Sequence, residues 1–314
     1  MKYFKSFLFL ILIIIFSPKS FAHSPNPGVI EIEHPGIYKS VVAISDVHGM
    51  YDATIHLLTN GKIIDQQHHW IAGNTLLIIV GDSIDKGPKS IDLLDLWIQL
   101  QSEALTKRGR VIHLLGNHEA EFLSNPMANR KIYTLKKEIE ERGLKLEEFT
   151  NPNFPRGEFL LSMPLAAKIG SWLICHSGQL PDLSWNNFVE KASSILQKRL
   201  FDDPFLLGPE SILESKSWWK KEEGRVALEA LLSKNSLFGV VFGHQPKGLK
   251  VEGKSAITAD GRIIKIDNGM ADDAGSHEGS LLVFKKPNQM KKFKKPDLFV
   301  INASGVEEVL VTAP

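Results

Sequence analysis

Five short segments of this sequence carry metal-binding residue types, and each follows directly on an apolar run. Asp46 and His48 stand in "SDVHG" after "VVAI", Asp82 stands in "GDSIDKG" after "TLLIIV", and Asn117 and His118 stand in "GNHE" after "VIHLL". His176 follows "WLIC", and His244 follows "GVVFG". Carboxylates, imidazoles and an amide oxygen form a borderline-hard donor set that suits Mn, Fe or Zn better than a thiolate-seeking metal. Six donors serve two ions if one carboxylate bridges them. Asp82 is the natural bridge, with Asp46 and His48 on one ion and Asn117, His176 and His244 on the other. Two ions ~3.5–4 Å apart lower the pKa of a shared water and clamp a phosphoryl group for in-line attack. A single "DxH" or "GD" is more often a turn than a ligand, but five in order are hard to assemble by chance.

The apolar runs at 40–45, 75–80, 110–115, 171–175 and 238–242 are short and rich in β-branched residues, which predicts buried strands. Helical patterns separate them, for example over 51–59, closed by Asn60-Gly61, and over 90–105. Such alternation predicts an α/β fold, and the crevice outside the strand carboxyl ends is where ligands bind in open α/β sheets. Two segments interrupt the rhythm, a charged one at 126–150 and a mostly helical one at 184–235, and both are expected to be caps over one face. Beyond residue 260, "GRIIKID", "GSLLVF" and "EEVLVT" are expected to be strands that finish a sheet. The stretch before residue 40 is rich in Pro and Gly and is expected to be an extended lead-in. His113 within a strand and His56 within a helix are expected to pack, and His68 and His69 to lie in a loop.

The 314 residues, 43% hydrophobic and 23% charged, suffice for a large core. A net charge of +1 gives no global attraction to nucleic acid or membrane, so nucleic acid is not an expected partner. Six lysines fall within 285–296, which is expected to be a solvated loop. At the N-terminus two lysines, the apolar run within "SFLFLILIIIF" and Ser20-Phe21-Ala22 have the pattern of a secretory signal peptide over 1–22, cut after Ala22. The mature chain over 23–314 is then expected in the periplasm without stable membrane insertion. Cys175 is the only cysteine, so no intramolecular disulfide is available.

With its five motifs, the sequence resembles the calcineurin-like metallophosphoesterases, and within them the phosphoprotein phosphatase branch. Pro246 after "GHQ", where wider branches place a second histidine, favours that branch, and "LLGNHEAEF" and "GRIIKIDNGM" are most similar to the bacterial Shewanella-like group. The resemblance implies a β-sandwich of two mixed sheets flanked by helices, with helical cap inserts. It implies two divalent ions, manganese foremost, and a phosphorylated protein or peptide as substrate. It implies that His118 is the general acid, oriented by Asp85, because a neighbouring carboxylate favours the proton-bearing imidazolium. Glu119 takes a supporting, hydrogen-bonding role. Asn117, Lys86 and Lys220 are the expected contacts to the substrate. Lys86 replaces the family's arginine, which keeps the charge but loses the planar two-point grip on phosphate. The 184–235 insert offers Trp185, Trp218 and Trp219 for either a deep substrate pocket or the core. A dinucleoside polyphosphate hydrolase and a silent phospholigand-binding protein are the competing readings.

Overall fold

The computed structural model describes residues 26–128, 133–292 and 294–314. The expected signal peptide lies outside them. The chain opens with β1 (Val29–Ile32), β2 (Ser40–Ile44), α1 (Tyr51–Asn60), β3 (Thr75–Ile79), α2 (Ser90–Thr106) and β4 (Arg110–His113). Four helices follow, α3 (Asn117–Ser124), α4 (Tyr133–Glu141), α5 (Glu147–Thr150) and α6 (Pro155–Leu161). Next come β5 (Ala166–Ile169), β6 (Trp172–Cys175), α7 (Trp185–Gln197), α8 (Glu222–Lys234) and β7 (Gly239–Phe242). The last strands are β8 (Ala256–Ile257), β9 (Ile263–Lys265), β10 (Ser280–Phe284), β11 (Leu298–Asn302), β12 (Glu307–Glu308) and β13 (Val311–Thr312).

The strands form two mixed sheets, in the orders β12-β11-β10-β2-β3-β4 and β1-β5-β6-β7-β9-β8-β13. Side chains alternate between the faces of a strand, and here both faces are buried. Val41, Ala43, Leu76 and Ile78 point into the sandwich, where they join Ile174, Val241 and Ile264 of the other sheet. Val42, Ile44, Leu77 and Ile79 point the other way, toward the helices. That double burial explains why the runs read as continuously apolar rather than alternating.

All five expected strands are present, but they divide between the sheets. β2, β3 and β4 lie in one, and β6 and β7 in the other. The lead-in contains β1, which pairs in parallel with β5 and closes one edge of its sheet. "EEVLVT" is not one strand: β12 pairs with β11, whereas β13 pairs with β8 of the opposite sheet. Its chain crosses between sheets, so no single hydrogen-bonded ladder can hold it. The 126–150 segment supplies α4 and α5, while α7 and α8 flank a middle in the 184–235 segment that is irregular apart from a 3-10 turn over Trp218–Lys220. No helix among the described residues is long and apolar enough to cross a membrane.

Candidate metal and phosphoryl-transfer site

The ends of β2, β3, β4 and β7 deliver polar residues to one cleft of about 670 Å³, and the end of β6 places His176 next to them. Asp46, His48, Asp82, Asn117, His118, His244, Lys86 and Lys220 line it. His176 is fully buried beneath them, and Asp85 stands behind His118. The backbone turns sharply where the side chains must swing inward. Asp46, His48, Asp82, Asp85, Lys86 and His244 all have positive φ, between 40° and 65°. Non-glycine residues adopt that region at a cost, and such strain clusters at functional sites.

Close approach requires glycine at two motif positions. A Cβ on Gly243 would sit 1.9 Å from Ser45 Oγ and 2.2 Å from Asp46 Oδ2. One on Gly116 would sit 2.2 Å from Asp82 Oδ1. Glu119, fully buried, ties two motifs together. Its carboxylate accepts the main-chain N–H groups of Asp82 (3.0 Å), Ser83 (2.7 Å), Ile84 (3.2 Å) and Gly116 (3.0 Å).

The histidines have their tautomers set by the backbone. His48 Nδ1 donates to Ile84 O at 3.2 Å, and His176 Nδ1 donates to Val80 O at 2.7 Å. Carbonyls only accept, so each ring leaves its Nε2 for the site. His48 Nε2 lies 3.6 Å from Asp82 Oδ2, and His176 Nε2 lies 3.3 Å from the same oxygen. Asn117 Oδ1 is 3.1 Å from His176 Nε2. His244 Nε2 is buried and has no hydrogen-bond partner, while its main-chain N–H donates to both Asp46 oxygens at 3.0 Å.

These donors fit a pair of divalent cations. Two groups have all their ligand atoms within 4.8 Å of one another: His48, Asp82 and His118, and Asp82, His176 and His244. Asp82 belongs to both, as a bridging carboxylate must. The orphaned Nε2 of His244 adds a buried lone pair that a cation would satisfy. Asp46 adjoins the first group, 4.0 Å from His48 Nε2.

Electrostatics agree with a cation-binding cleft. Burial pushes Asp46 up to about 6, helped by the charge on Asp82 and opposed by His176. Burial pushes His48 down to about 3 and His244 well below its ordinary value, so both rings favour the neutral, ligand form. Burial also opposes charge on His176, yet the Asp82 and Asp46 carboxylates outweigh it and lift the imidazole to about 10. A proton and a metal ion would therefore compete for this one nitrogen.

His118 has a different setting. Its Nδ1 is 3.3 Å from Asp85 Oδ2, and its ring meets that of His48 edge-on, with centroids 4.8 Å apart. Burial disfavours its charge, but Asp82 and Asp85 raise its pKa above the ordinary histidine value.

Lys86 lies at the mouth of the cleft, with Nζ 3.7 Å from the exposed Asp273. Lys220 lines the cleft with its ammonium 5.5 Å from the Trp219 ring centroid. Of the three tryptophans, only Trp219 reaches the cleft. Trp218 packs on Phe242, and Trp185 packs on Phe188. Gln245 pins this wall, accepting through Oε1 from Ser217 N and from Trp219 Nε1, both at 2.8 Å. Lys216, Gln245 and Asp267 also line the cleft, although sequence reasoning did not select them. Asp267 had the same signal as the five motifs, a carboxylate just past the apolar run of β9. His113 is buried as expected, with Nε2 2.6 Å from Ser83 Oγ, but His56 is exposed rather than packed.

Comparison with known proteins agrees with this geometry. The chain is 30% identical over 143 residues to Shewanella-like protein phosphatase 1 of Plasmodium berghei, covering 44% of this chain and 38% of that protein. It is 30% identical over 101 residues to Shewanella-like protein phosphatase 2 of Arabidopsis thaliana, covering 32% and 25%. The matched parts thus span well under half of these relatives. Among solved structures, the cold-active protein-tyrosine phosphatase of a psychrophilic Shewanella species shares the fold, with TM-score 0.71 and 22% identity over 90% of this chain and 82% of that one. A protein serine/threonine phosphatase of Saccharomyces cerevisiae shares it at TM-score 0.56 and 16% identity, covering 92% and 86%. Residues 39–263 match the family model described as calcineurin-like phosphoesterase, and they contain every residue of the five motifs. The chain belongs to the calcineurin-like phosphoesterase family.

Proposed function

We propose that the protein, over residues 23–314, is a dinuclear-metal phosphomonoesterase acting on phosphorylated proteins or peptides, and that it is exported to the periplasm by a leader cut after Ala22. The observation that carries the chemistry is the convergence of two donor groups on one carboxylate, Asp82, with the His118–Asp85 pair beside them. Two divalent cations, manganese foremost, supply when bound the Lewis acidity that makes a water nucleophilic at neutral pH and withdraws charge from phosphate oxygens.

The rest falls to side chains. Asp82 would serve both ions, Asp46 and His48 would hold one, and Asn117, His176 and His244 would hold the other. Lys86, Lys216 and Lys220 offer ammonium charges to a phosphate in the cleft. They act as point charges, without the paired hydrogen bonds of a guanidinium. His118 has its Nδ1 engaged by Asp85, which leaves Nε2 to donate a proton to the departing alkoxide or phenolate. The phosphoprotein assignment is supported by the names of the curated relatives and by the open cleft, which admits an ester carried on a chain.

The test is the metal content of the purified protein, together with manganese-supplemented hydrolysis of matched phosphotyrosine, phosphoserine and phosphothreonine peptides. About two ions per chain with turnover is the expected result. A fully metallated protein inert on all three overturns the reading, and faster hydrolysis of diadenosine tetraphosphate moves the substrate to dinucleotides. N-terminal sequencing of periplasmic protein checks the cut after Ala22.

A further inference from the structure

The carboxylate of Asp85 has partners on both of its oxygens. Oδ2 faces His118 Nδ1 at 3.3 Å, and Oδ1 accepts the main-chain N–H groups of Thr134 at 2.9 Å and Leu135 at 3.4 Å. Those two groups belong to the first turn of α4, whose N–H groups lack partners within the helix. A helix N-terminus also favours negative charge. Asp85 is thus held by the 126–150 insert, an element that contributes none of the proposed metal ligands.

α4 is itself held by a carboxylate that it returns. The buried Glu138, near its other end, accepts the main-chain N–H groups of Ser90 (2.8 Å) and Ile91 (3.2 Å) at the start of α2. Arg142 braces this contact, with Nη2 2.7 Å from Glu138 and a second ion pair to Asp92. Leu135 and Ile139 are buried in the core beneath. Each helix start is therefore capped by a carboxylate from the other side of the contact, Asp85 on α4 and Glu138 on α2. Asp85 needs such support, because its own backbone sits at a left-handed φ of 65°.

We propose that α4 is a positioning element for catalysis: docked through Glu138, its first turn fixes the Asp85 carboxylate, which orients the His118 ring toward the leaving group. The proposal rests on the phosphatase reading in so far as His118 is the acid. Thr134 and Glu138 are positioning residues that touch neither substrate nor metal. Their loss should weaken proton delivery and leave metal binding and nucleophilic attack intact.

Thr134→Pro removes one of the two N–H groups at the second helical position, where proline's φ is compatible with a helix start. Glu138→Gln weakens the docking end while conserving shape. Both variants are compared with wild type on phenyl phosphate, a poor leaving group, and on 2,4-dinitrophenyl phosphate, which departs without protonation. The expected result is a fall in kcat of about 10-fold or more on the phenyl ester, part of the range typical of general acid catalysis, with under about 2-fold change on the dinitrophenyl ester. Metal content should not change. An equal fall on both esters, or loss of metal, makes α4 merely structural, and unchanged kinetics in both variants refutes the coupling. A second readout does not require turnover: the ring ¹⁵N resonances of His118, assigned by comparison with His118→Asn, should shift in both variants. If wild type hydrolyses neither ester, the phosphatase reading fails, while these resonances still decide whether α4 holds the pair. Unshifted resonances overturn the proposal.

Discussion

Asp82 and His118 are neighbours, joined by a 3.0 Å hydrogen bond from the His118 main chain to Asp82 Oδ1, yet the roles proposed for them are separate. Asp82→Asn keeps the shape but would halve the proposed bridging capacity and remove the charge that both ions would share. Metal content should fall from two ions per chain toward none, and a fully metallated variant would mean that another group bridges. His118→Asn should keep both ions and lower turnover by ~10²–10⁴-fold, most strongly for poor leaving groups. The ring of His118 lies in one donor group with His48 and Asp82, so metal loss in that variant would assign it as a ligand instead. Elemental analysis of the two variants side by side therefore separates bridge, ligand and acid.

At the scale of elements, the cleft wall depends on a buried cation that belongs to none of the five strand-exit motifs. Lys265, at the end of β9, is fully buried, and its ammonium donates to the carbonyls of Pro246 (3.2 Å), Val251 (2.9 Å), Lys254 (2.6 Å) and Asp267 (2.8 Å). Burial lowers its pKa to about 8, opposed by the Asp267 carboxylate. The four carbonyls draw the loop between β7 and β8 onto the residues following β9. That loop includes Pro246, Lys247 and Gly248 of the cleft. Lys265→Met would leave several buried acceptors without donors, at a cost of about 1–3 kcal/mol for each one left unsatisfied. The expected outcome is a loss of at least about 3 kcal/mol in denaturant unfolding, with faster amide exchange over 246–254. Exchange unchanged in that loop would show that the ammonium does not organise the wall.

At the scale of the molecule, the two sheets must stay packed for their strand ends to meet. Trp172 of β6 is fully buried between them, with Phe238 and Phe284 at ring-centroid distances of 5.4 and 5.5 Å. Its indole N–H has no hydrogen-bond partner, so its contribution is packing alone. Trp172→Ala should cost about 3–5 kcal/mol by leaving a cavity. Trp172→Phe should cost less, about 1–3 kcal/mol, because only ring volume is lost and no polar group is newly stranded. Chemical denaturation of the three proteins checks the order, and a phenylalanine variant as unstable as the alanine one would mean that the indole N–H has a partner after all.

What the sequence by itself determined was local. Each strand-exit motif is a few residues long, so Asp46, His48, Asp82, Asn117, His118, His176 and His244 could be selected from residue type next to an apolar run. The continuous hydrophobicity of those runs also declared strands buried on both faces, and hence a layered α/β fold. Only the tertiary structure decided which strands share a sheet, since pairing partners up to 243 residues apart in sequence, such as Val41 and Phe284, leave no mark in either segment. It also decided how "EEVLVT" divides between two ladders, and it brought Lys216 to the cleft from a position with no strand-exit pattern. Asp85 shows the boundary most clearly. Its place in "GDSIDKG" is readable, but its hold on Thr134 and Leu135 joins residues 49 and 50 positions away, a contact that exists because packing, not local pattern, sets α4 against α2.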